Sequence, residues 1–168
     1  MINDNFLDIE SFHKIQTKLL SEDIHWFYHN YTDNIYQDNN QFYFGHHFYE
    51  LNRWTSPFAE ILEPLLLKIK PVCIHSIRAN LMARTNEIAE SDFHSDLKEF
   101  IPDEDRLSQW TTAIFYINTN NGYTKLSDGT IVESKSNRLL TMSSNIEHLG
   151  TTCTDQKRRV VINLNYYL

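Results

Sequence analysis

The chain has only two cysteines, Cys73 and Cys153, among its 168 residues. They lie far apart and match neither a metal-binding nor a redox spacing, so the sequence favours free thiols in a reducing compartment. It has no apolar run long enough to span a bilayer and no recognisable signal or transit peptide, so we expect a cytoplasmic protein without a membrane partner. Internal repeats, low-complexity tracts and linkers are also missing, which predicts a single domain over residues 1–168.

Basic charge is scarce as well. Lysine and arginine total 15 against 22 aspartates and glutamates, which gives a net charge of −7. Nucleic-acid binding needs a clustered basic surface, so a nucleic-acid partner is not expected. The aromatic content of 13% is high and is typical of a β-rich core. None of these features decides the oligomeric state.

Two amphipathic segments in the first half of the chain predict helices. Residues 9–20 repeat apolar side chains at helical spacing. A second helix is predicted over 57–70, with Ser56 as its N-cap and Pro57 in its first position. Pro64 should kink or split this helix, because proline has no amide hydrogen. Helices of this kind would pack against the outside of a sheet.

The segment between these helices, residues 25–50, is dense in aromatic side chains. Its alternation predicts two strands around a polar loop over Thr32–Gln41. His46 and His47 are adjacent and would face opposite sides of a strand. A structural or surface histidine is the favoured interpretation of both, with a ligand role as the alternative. The same interpretation applies to four further histidines: His13, His25, His29 and His75.

The stretch Phe93-His94-Ser95-Asp96 carries the strongest chemical signal. On a strand, His94 and Asp96 would project from the same face. One imidazole and one carboxylate supply two ligands of the 2-His-1-carboxylate arrangement, which holds non-haem Fe(II) and leaves open positions. A polar strand end or turn is the other interpretation of this stretch.

A second histidine and a final strand follow downstream. His148 precedes the segment 157–166, which is rich in β-branched and aromatic residues and predicts a strand. Alternation divides this strand into two faces. One face carries Arg159, Val161, Asn163 and Asn165, and the other carries Val160, Ile162, Leu164 and Tyr166.

With these motifs in place, the chain resembles the 2-oxoglutarate- and Fe(II)-dependent dioxygenases, in particular the prolyl 4-hydroxylase-like branch. The family pattern is His-x-Asp, a second histidine, and then a basic residue that opens the last barrel strand. The resemblance covers about residues 75–168, and it includes three segments between the motifs: 110–117, 121–126 and 137–142.

The resemblance implies a mostly β fold with flanking helices. We expect a double-stranded β-helix, a barrel of jelly-roll or cupin-like type, formed by residues 73–168. Residues 1–72 would supply helical and aromatic support for this barrel.

The resemblance also implies a catalytic Fe(II) site formed by His94, Asp96 and His148. The co-substrates would be 2-oxoglutarate and O₂, with ascorbate as an optional addition. A basic residue of the last strand would pair with the distal carboxylate of 2-oxoglutarate. Arg159 is favoured over Arg158 for this role, because its face continues with an apolar and then a polar residue, as in the family.

Two asparagines are further candidates for cofactor binding. Asn80 lies on the predicted first barrel strand, Ile74–Met82, where family members place a polar side chain against the co-substrate. Asn163 shares the predicted inner face of the last strand with Arg159.

The implied reaction is hydroxylation of a C–H bond with release of succinate and CO₂. The substrate would be a peptide or protein, as for prolyl hydroxylases, or an amino-acid-like molecule. Prolyl 4-hydroxylases usually carry lysine where this chain has Arg159, and many members have two glycines where it has only Gly122. The same chemistry on a nucleobase or another small molecule is an alternative, which the acidic balance disfavours. A third possible function is that of a cupin-like binding module that carries out no oxidation. The complete set of predicted site residues disfavours this possibility.

Overall fold

The computed structural model describes residues 1–30 and 42–168. The predicted polar loop Thr32–Gln41 lies outside the described residues. The described elements, in chain order, are β1 (Ile2–Asn3), α1 (Ile9–Leu20), β2 (Phe27–Asn30), β3 (Phe42–Glu50), β4 (Arg53–Trp54), a 3-10 turn (Ala59–Leu62), α2 (Glu63–Ile69), β5 (Cys73–Ala83), α3 (Glu104–Leu107), β6 (Thr111–Tyr116), β7 (Tyr123–Leu126), β8 (Ile131–Glu133), β9 (Arg138–Ser143), β10 (His148–Gly150) and β11 (Arg158–Tyr167). No helix within these described ranges is long and apolar enough to cross a membrane.

The strands of the described residues form two antiparallel sheets. The larger sheet has the order β1-β9-β6-β11-β5-β3-β2, and β4 pairs with β3 at its edge. The smaller sheet has the order β10-β7-β8. Side chains of both sheets meet in one buried apolar cluster, in which Val132 of β8 joins Leu140 of β9 and Val161 of β11. The predicted mostly β jelly-roll fold with flanking helices is thus confirmed.

Strand β11 lies in the middle of the larger sheet, between β5 and β6. One of its faces places Val160, Ile162 and Leu164 in the main core. This core also contains buried side chains from the helices: Phe12, Ile15 and Leu19 of α1 and Leu65 of α2. The other face of β11 is directed toward the smaller sheet, where Val161 packs in one cluster with Val132. The helices therefore support the outer face of the larger sheet, as predicted.

Helix α1 has the predicted limits, Ile9–Leu20. The Asp8 carboxylate accepts a hydrogen bond from the Ser11 amide at 2.9 Å and caps the first turn.

The start of the second helix differs from the prediction. A 3-10 turn begins at Ala59, and α-helical structure begins only at Glu63. The Ser56 hydroxyl accepts a hydrogen bond from the Phe58 amide at 3.0 Å, before either element, so Ser56 is not the helix N-cap. Pro64 lies in the first turn of α2, where an amide hydrogen would have no helical partner. The predicted helix is therefore split just before Pro64 into a 3-10 turn and α2, and α2 itself is not kinked by this proline.

His46 is a buried structural histidine, which confirms the interpretation favoured from the sequence. Its Nδ1 lies 2.7 Å from the carbonyl oxygen of His25, and its Nε2 lies 2.8 Å from the Ser56 hydroxyl. The neighbouring His47 faces the other way and lies 3.2 Å from a Glu50 carboxylate oxygen. His46 therefore links β3 to the segments on either side of it.

Replacing His46 by glutamine should lower the free energy of unfolding by about 1–3 kcal/mol near pH 8, because two buried hydrogen bonds are lost. Desolvation by burial lowers the pKa of His46, so the fold favours the neutral ring. The contribution of the neutral His46 ring to the free energy of unfolding is complete at pH values above the pKa of histidine in the unfolded chain, about 6.5. This contribution is lost as the pH falls below that pKa. Urea unfolding of both proteins from about pH 8 to about pH 5.5 should show the difference shrinking. A difference that is constant with pH would contradict this account; the exposed His13→Gln is the control substitution.

Candidate metal centre

The two histidines of the predicted site are joined through their main chains. The His94 amide donates to the His148 carbonyl at 3.0 Å, and the His148 amide donates back to the His94 carbonyl at 2.9 Å. This isolated antiparallel bridge sets the two imidazole rings 4.7 Å apart, measured between centroids. The expectation that His94 and Asp96 lie on one strand is wrong, because the chain turns directly after this bridge. It is the turn that places the Asp96 carboxylate against both rings.

The donor atoms of the three residues converge. Asp96 Oδ1 lies 3.4 Å from His94 Nε2 and 4.0 Å from His148 Nε2. All three donor atoms lie within 4.8 Å of one another. The side chains of Asp96 and His148 are only 7% and 4% exposed, whereas that of His94 is 47% exposed. The group is therefore held from inside the protein and open on one side.

The orientation of the His94 ring fits a bound metal ion. His94 Nδ1 lies 3.1 Å from the Asp92 carbonyl oxygen. An Nδ1 hydrogen donated to that oxygen leaves a lone pair on Nε2, which faces a carboxylate oxygen of Asp96. Two such atoms in contact require a cation between them, either a proton or a metal ion. With bonds of about 2.1 Å, two ligands of one ion lie about 3.0 Å apart when they are adjacent in an octahedron and at most about 4.2 Å apart, so the distances of 3.4 and 4.0 Å from Asp96 suit a shared ion.

The second oxygen of Asp96 is held by two asparagines of β11. Asp96 Oδ2 accepts hydrogen bonds from Asn163 Nδ2 at 2.7 Å and from Asn165 Nδ2 at 3.1 Å. Thr112 donates to Asn165 Oδ1 at 2.8 Å and so orients the amide. Asn163, predicted to contact the cofactor, thus contacts a candidate metal ligand. The role of Asn165 was missed, although two asparagines on the same face of a buried strand indicate a polar partner.

The electrostatics favour the ligand forms of Asp96 and His148. Burial alone would raise the pKa of Asp96, but its hydrogen bond to His94 and the charges of both histidines outweigh burial and hold this pKa well below its usual range. Burial lowers the pKa of His148, against the opposing effect of the Asp96 charge, and so favours the form of the ring that can bind a metal ion. Burial also acts to lower the pKa of His94, but the hydrogen bond and charge of Asp96 raise it overall.

Arg159 lies inside the molecule, 1% exposed, between the two sheets. Its Nε donates to the Ser134 hydroxyl at 2.7 Å and its Nη2 to the Thr124 hydroxyl at 3.1 Å. Arg158 projects from the opposite face of β11, where its Nη2 donates to the Leu20 carbonyl at the end of α1. Strand parity therefore separates the two arginines, and only Arg159 reaches the cavity beside the metal group.

Gly122 and Tyr116 complete the surroundings of Arg159. A Cβ atom at Gly122 would lie 2.5 Å from the Thr152 carbonyl oxygen and 2.7 Å from Arg159 Cδ, so only glycine leaves room for the arginine. The Tyr116 ring lies 5.7 Å from Arg159 Cζ, and its hydroxyl donates to Thr124 at 2.8 Å. Sequence reasoning missed Tyr116, whose inward direction follows from strand alternation.

A cavity of about 430 Å³ joins the metal group to Arg159. Asn80 and Asn163 both line it. The Oδ1 atoms of these two side chains are buried and have no hydrogen-bond partner among residues 1–30 and 42–168. Buried polar atoms without partners are costly, so both atoms are suited to bind a ligand that enters the cavity.

No protein-family sequence model matches the chain, and no curated protein matches it by sequence. Solved structures do match. A prolyl hydroxylase from Trichoplax adhaerens, in complex with a peptide fragment of the hypoxia inducible factor oxygen degradation domain, has a TM-score of 0.71 at 14% identity, over 99% of this chain and 82% of that one. A 2-oxoglutarate-Fe(II) oxygenase family oxidoreductase from Burkholderia pseudomallei has a TM-score of 0.66 at 11% identity, over 99% and 84%. HygX from Streptomyces hygroscopicus, with nickel and 2-oxoglutarate bound, has a TM-score of 0.63 at 8% identity, over 99% and 82%. The fold is that of the 2-oxoglutarate- and Fe(II)-dependent oxygenases.

In this oxygenase fold, Asn165 should act on the metal site through Asp96. Asn165→Ala removes one of the two amides that orient the carboxylate, so affinity for a divalent ion should fall by about 10- to 100-fold. Titration calorimetry with Mn(II) measures the change. Asn86→Ala, at an exposed position, is the matched control. Unchanged Mn(II) affinity in Asn165→Ala would show that Asp96 needs no such support.

Proposed function

We propose that the protein is a 2-oxoglutarate- and Fe(II)-dependent dioxygenase that hydroxylates a C–H bond of a peptide, protein or amino-acid-like substrate. Succinate and CO₂ would be the co-products. The observation that carries this proposal is the shared cavity of the metal group and Arg159. A site for a divalent ion and a buried guanidinium in one cavity match the two ends of 2-oxoglutarate.

His94, Asp96 and His148 would hold the iron. Two imidazoles and one carboxylate suit Fe(II) and leave coordination positions for other ligands. Bound Fe(II), together with 2-oxoglutarate and O₂, supplies the oxidant for C–H cleavage. The protein contributes a fixed carboxylate, the buried His148 ring and a cavity that restricts access.

Arg159 would bind the distal carboxylate of 2-oxoglutarate. A carboxylate in a buried site is costly unless it is paired and hydrogen-bonded. The planar guanidinium offers two parallel donors, and it is always charged. The Thr124 and Tyr116 hydroxyls lie beside it and could adjust to an incoming oxygen atom. Asn80 and Asn163 would offer polar contacts along the cavity, and Asn163 also keeps Asp96 in place.

A peptide substrate is supported by the fold likeness to a prolyl hydroxylase that was solved with a peptide. An amino-acid-like substrate is supported by the cavity, whose volume of about 430 Å³ suits small molecules.

Substituting His148→Ala should abolish Fe(II)-dependent conversion of 2-oxoglutarate to succinate, because the site loses its most buried imidazole. Succinate release with and without Fe(II), measured for the wild type and the variant, tests this expectation. Circular dichroism should show that the variant keeps its strands, and the exposed His13→Ala is the control. Undiminished turnover in His148→Ala would remove this residue from the metal site. Fe(II) binding by the wild type without any succinate would favour a binding module instead.

Arg159→Ala should weaken the apparent affinity for 2-oxoglutarate. Removing one partner of a buried charge pair costs roughly 2–5 kcal/mol, which is about 30- to several-thousand-fold in the concentration required. Arg158→Ala is the matched control, since this side chain lies on the other face of the same strand. Succinate formation as a function of 2-oxoglutarate concentration distinguishes the two variants. A larger effect in Arg158→Ala would contradict the assignment.

A further inference from the structure

Arg78 lies on the inner face of β5 and lines the same cavity as the metal group. In the sheet it pairs directly with Asn163, the residue whose amide holds Asp96. Arg78 therefore starts at the level of the metal group. Arg159 lies four positions before Asn163 in β11, and this separation corresponds to about 13 Å at the usual rise of about 3.3 Å per residue. The cavity is thus lined by two arginines: Arg78 starts beside the metal group, and Arg159 lies at the other end.

The charge of Arg78 has no acidic partner within the described parts of the chain. No carboxylate of residues 1–30 and 42–168 lies within 4.0 Å of its guanidinium. Asp96 is already engaged by the two asparagines and the histidines. Arg138, in contrast, binds both carboxylate oxygens of Asp4. A half-buried guanidinium in a cavity, with no carboxylate of the described residues within 4.0 Å, is suited to receive an anion.

The neighbours of Arg78 hold its side chain without neutralising it. The Tyr43 ring lies 5.4 Å from Arg78 Cζ and offers a face for the cation. The His29 ring stacks on Tyr43 with centroids 5.1 Å apart. Gly45 makes room for His29, since a Cβ there would lie 2.8 Å from His29 Nε2, and it lies against Arg78, whose Cδ would be in ordinary contact with that Cβ at 3.6 Å. Burial, followed by the charge of Arg78, lowers the pKa of His29, and the charge of Glu50 opposes this shift.

We propose that Arg78 binds the carboxylate of a free amino-acid-like substrate and thereby determines which C–H bond faces the metal group. This proposal rests on the proposed function. A carboxylate meets a guanidinium through two parallel hydrogen bonds and cancels its charge. The main chain inside a peptide offers only neutral carbonyls at this position and would leave the charge unpaired. The positions of the two arginines divide the cavity into a co-substrate end at Arg159 and a substrate side at Arg78.

The test compares binding of free L-amino acids with binding of their primary carboxamides, which differ only in the carboxylate. The protein is loaded with Zn(II), which has no redox chemistry, and with 2-oxoglutarate, so that no turnover occurs. Ligand-observed NMR titrations give an affinity for each compound. The proteins compared are the wild type, Arg78→Gln, Arg78→Lys and, as the matched control, Arg53→Gln at an exposed position.

We expect at least one free acid to bind the wild type about 10- to 100-fold more tightly than its carboxamide. Arg78→Gln should abolish this preference, Arg78→Lys should keep part of it because the charge remains, and Arg53→Gln should keep all of it. The proposal is overturned if no free acid binds, if acids and amides bind equally, or if the preference survives in Arg78→Gln. If the glutamine variant does not fold, Arg78→Lys decides: a reduced preference supports the proposal, because lysine keeps the charge but lacks the paired donors, and an undiminished preference overturns it.

Binding of 2-oxoglutarate to the zinc-loaded wild type is measured separately in the same titrations. If 2-oxoglutarate does not bind, the proposed function itself fails. If 2-oxoglutarate binds and the free acids do not, only the assignment of Arg78 fails.

Discussion

The buried carboxylate of Asp96 is the constraint on which the rest of the site depends. A negative charge this far from water is stable only if every lone pair has a partner. Two asparagine amides take one oxygen, and two imidazoles face the other. Because both amides come from β11, the central strand of the larger sheet fixes the direction in which the carboxylate points. The oxygen left for a metal ion is therefore selected by the sheet and not by the loop that carries Asp96.

The side chains of β11 alternate between two faces, and each face has a different role. Val160, Ile162 and Leu164 anchor it to the helix-backed core, while Arg159, Asn163 and Asn165 line the site on its other face. A shift of one residue would exchange these two sets and would bury the polar side chains among aliphatic ones. Core stability and site geometry are thus coupled through one register. The site is consequently carried by a rigid element that is hydrogen-bonded on both edges.

The sequence predicts those parts of the structure that arise from local periodicity. The limits of α1, the strand at β11 and the opposite directions of Arg158 and Arg159 all follow from spacing along the chain. The site depends on pairing between distant segments of the chain. The prediction that His94 and Asp96 lie on one strand was wrong for this reason. His94 and Asp96 come together through a bridge to His148 and a turn, which no local pattern distinguishes from a strand. The contact between Asn165 and Asp96 also required the fold, and the start of α2 depended on where Pro64 could be tolerated.

The bridge between His94 and His148 consists of two main-chain hydrogen bonds. Main-chain atoms are the same in every residue, so these bonds place two candidate ligands without requiring any particular side chain nearby. Most positions around the site can then differ between proteins while the ligands keep their places. The fold neighbours share the path of the backbone with this chain over 99% of its length and only 8–14% of its residues. A metal centre built in this way is recognised poorly by sequence comparison and readily by the path of the backbone.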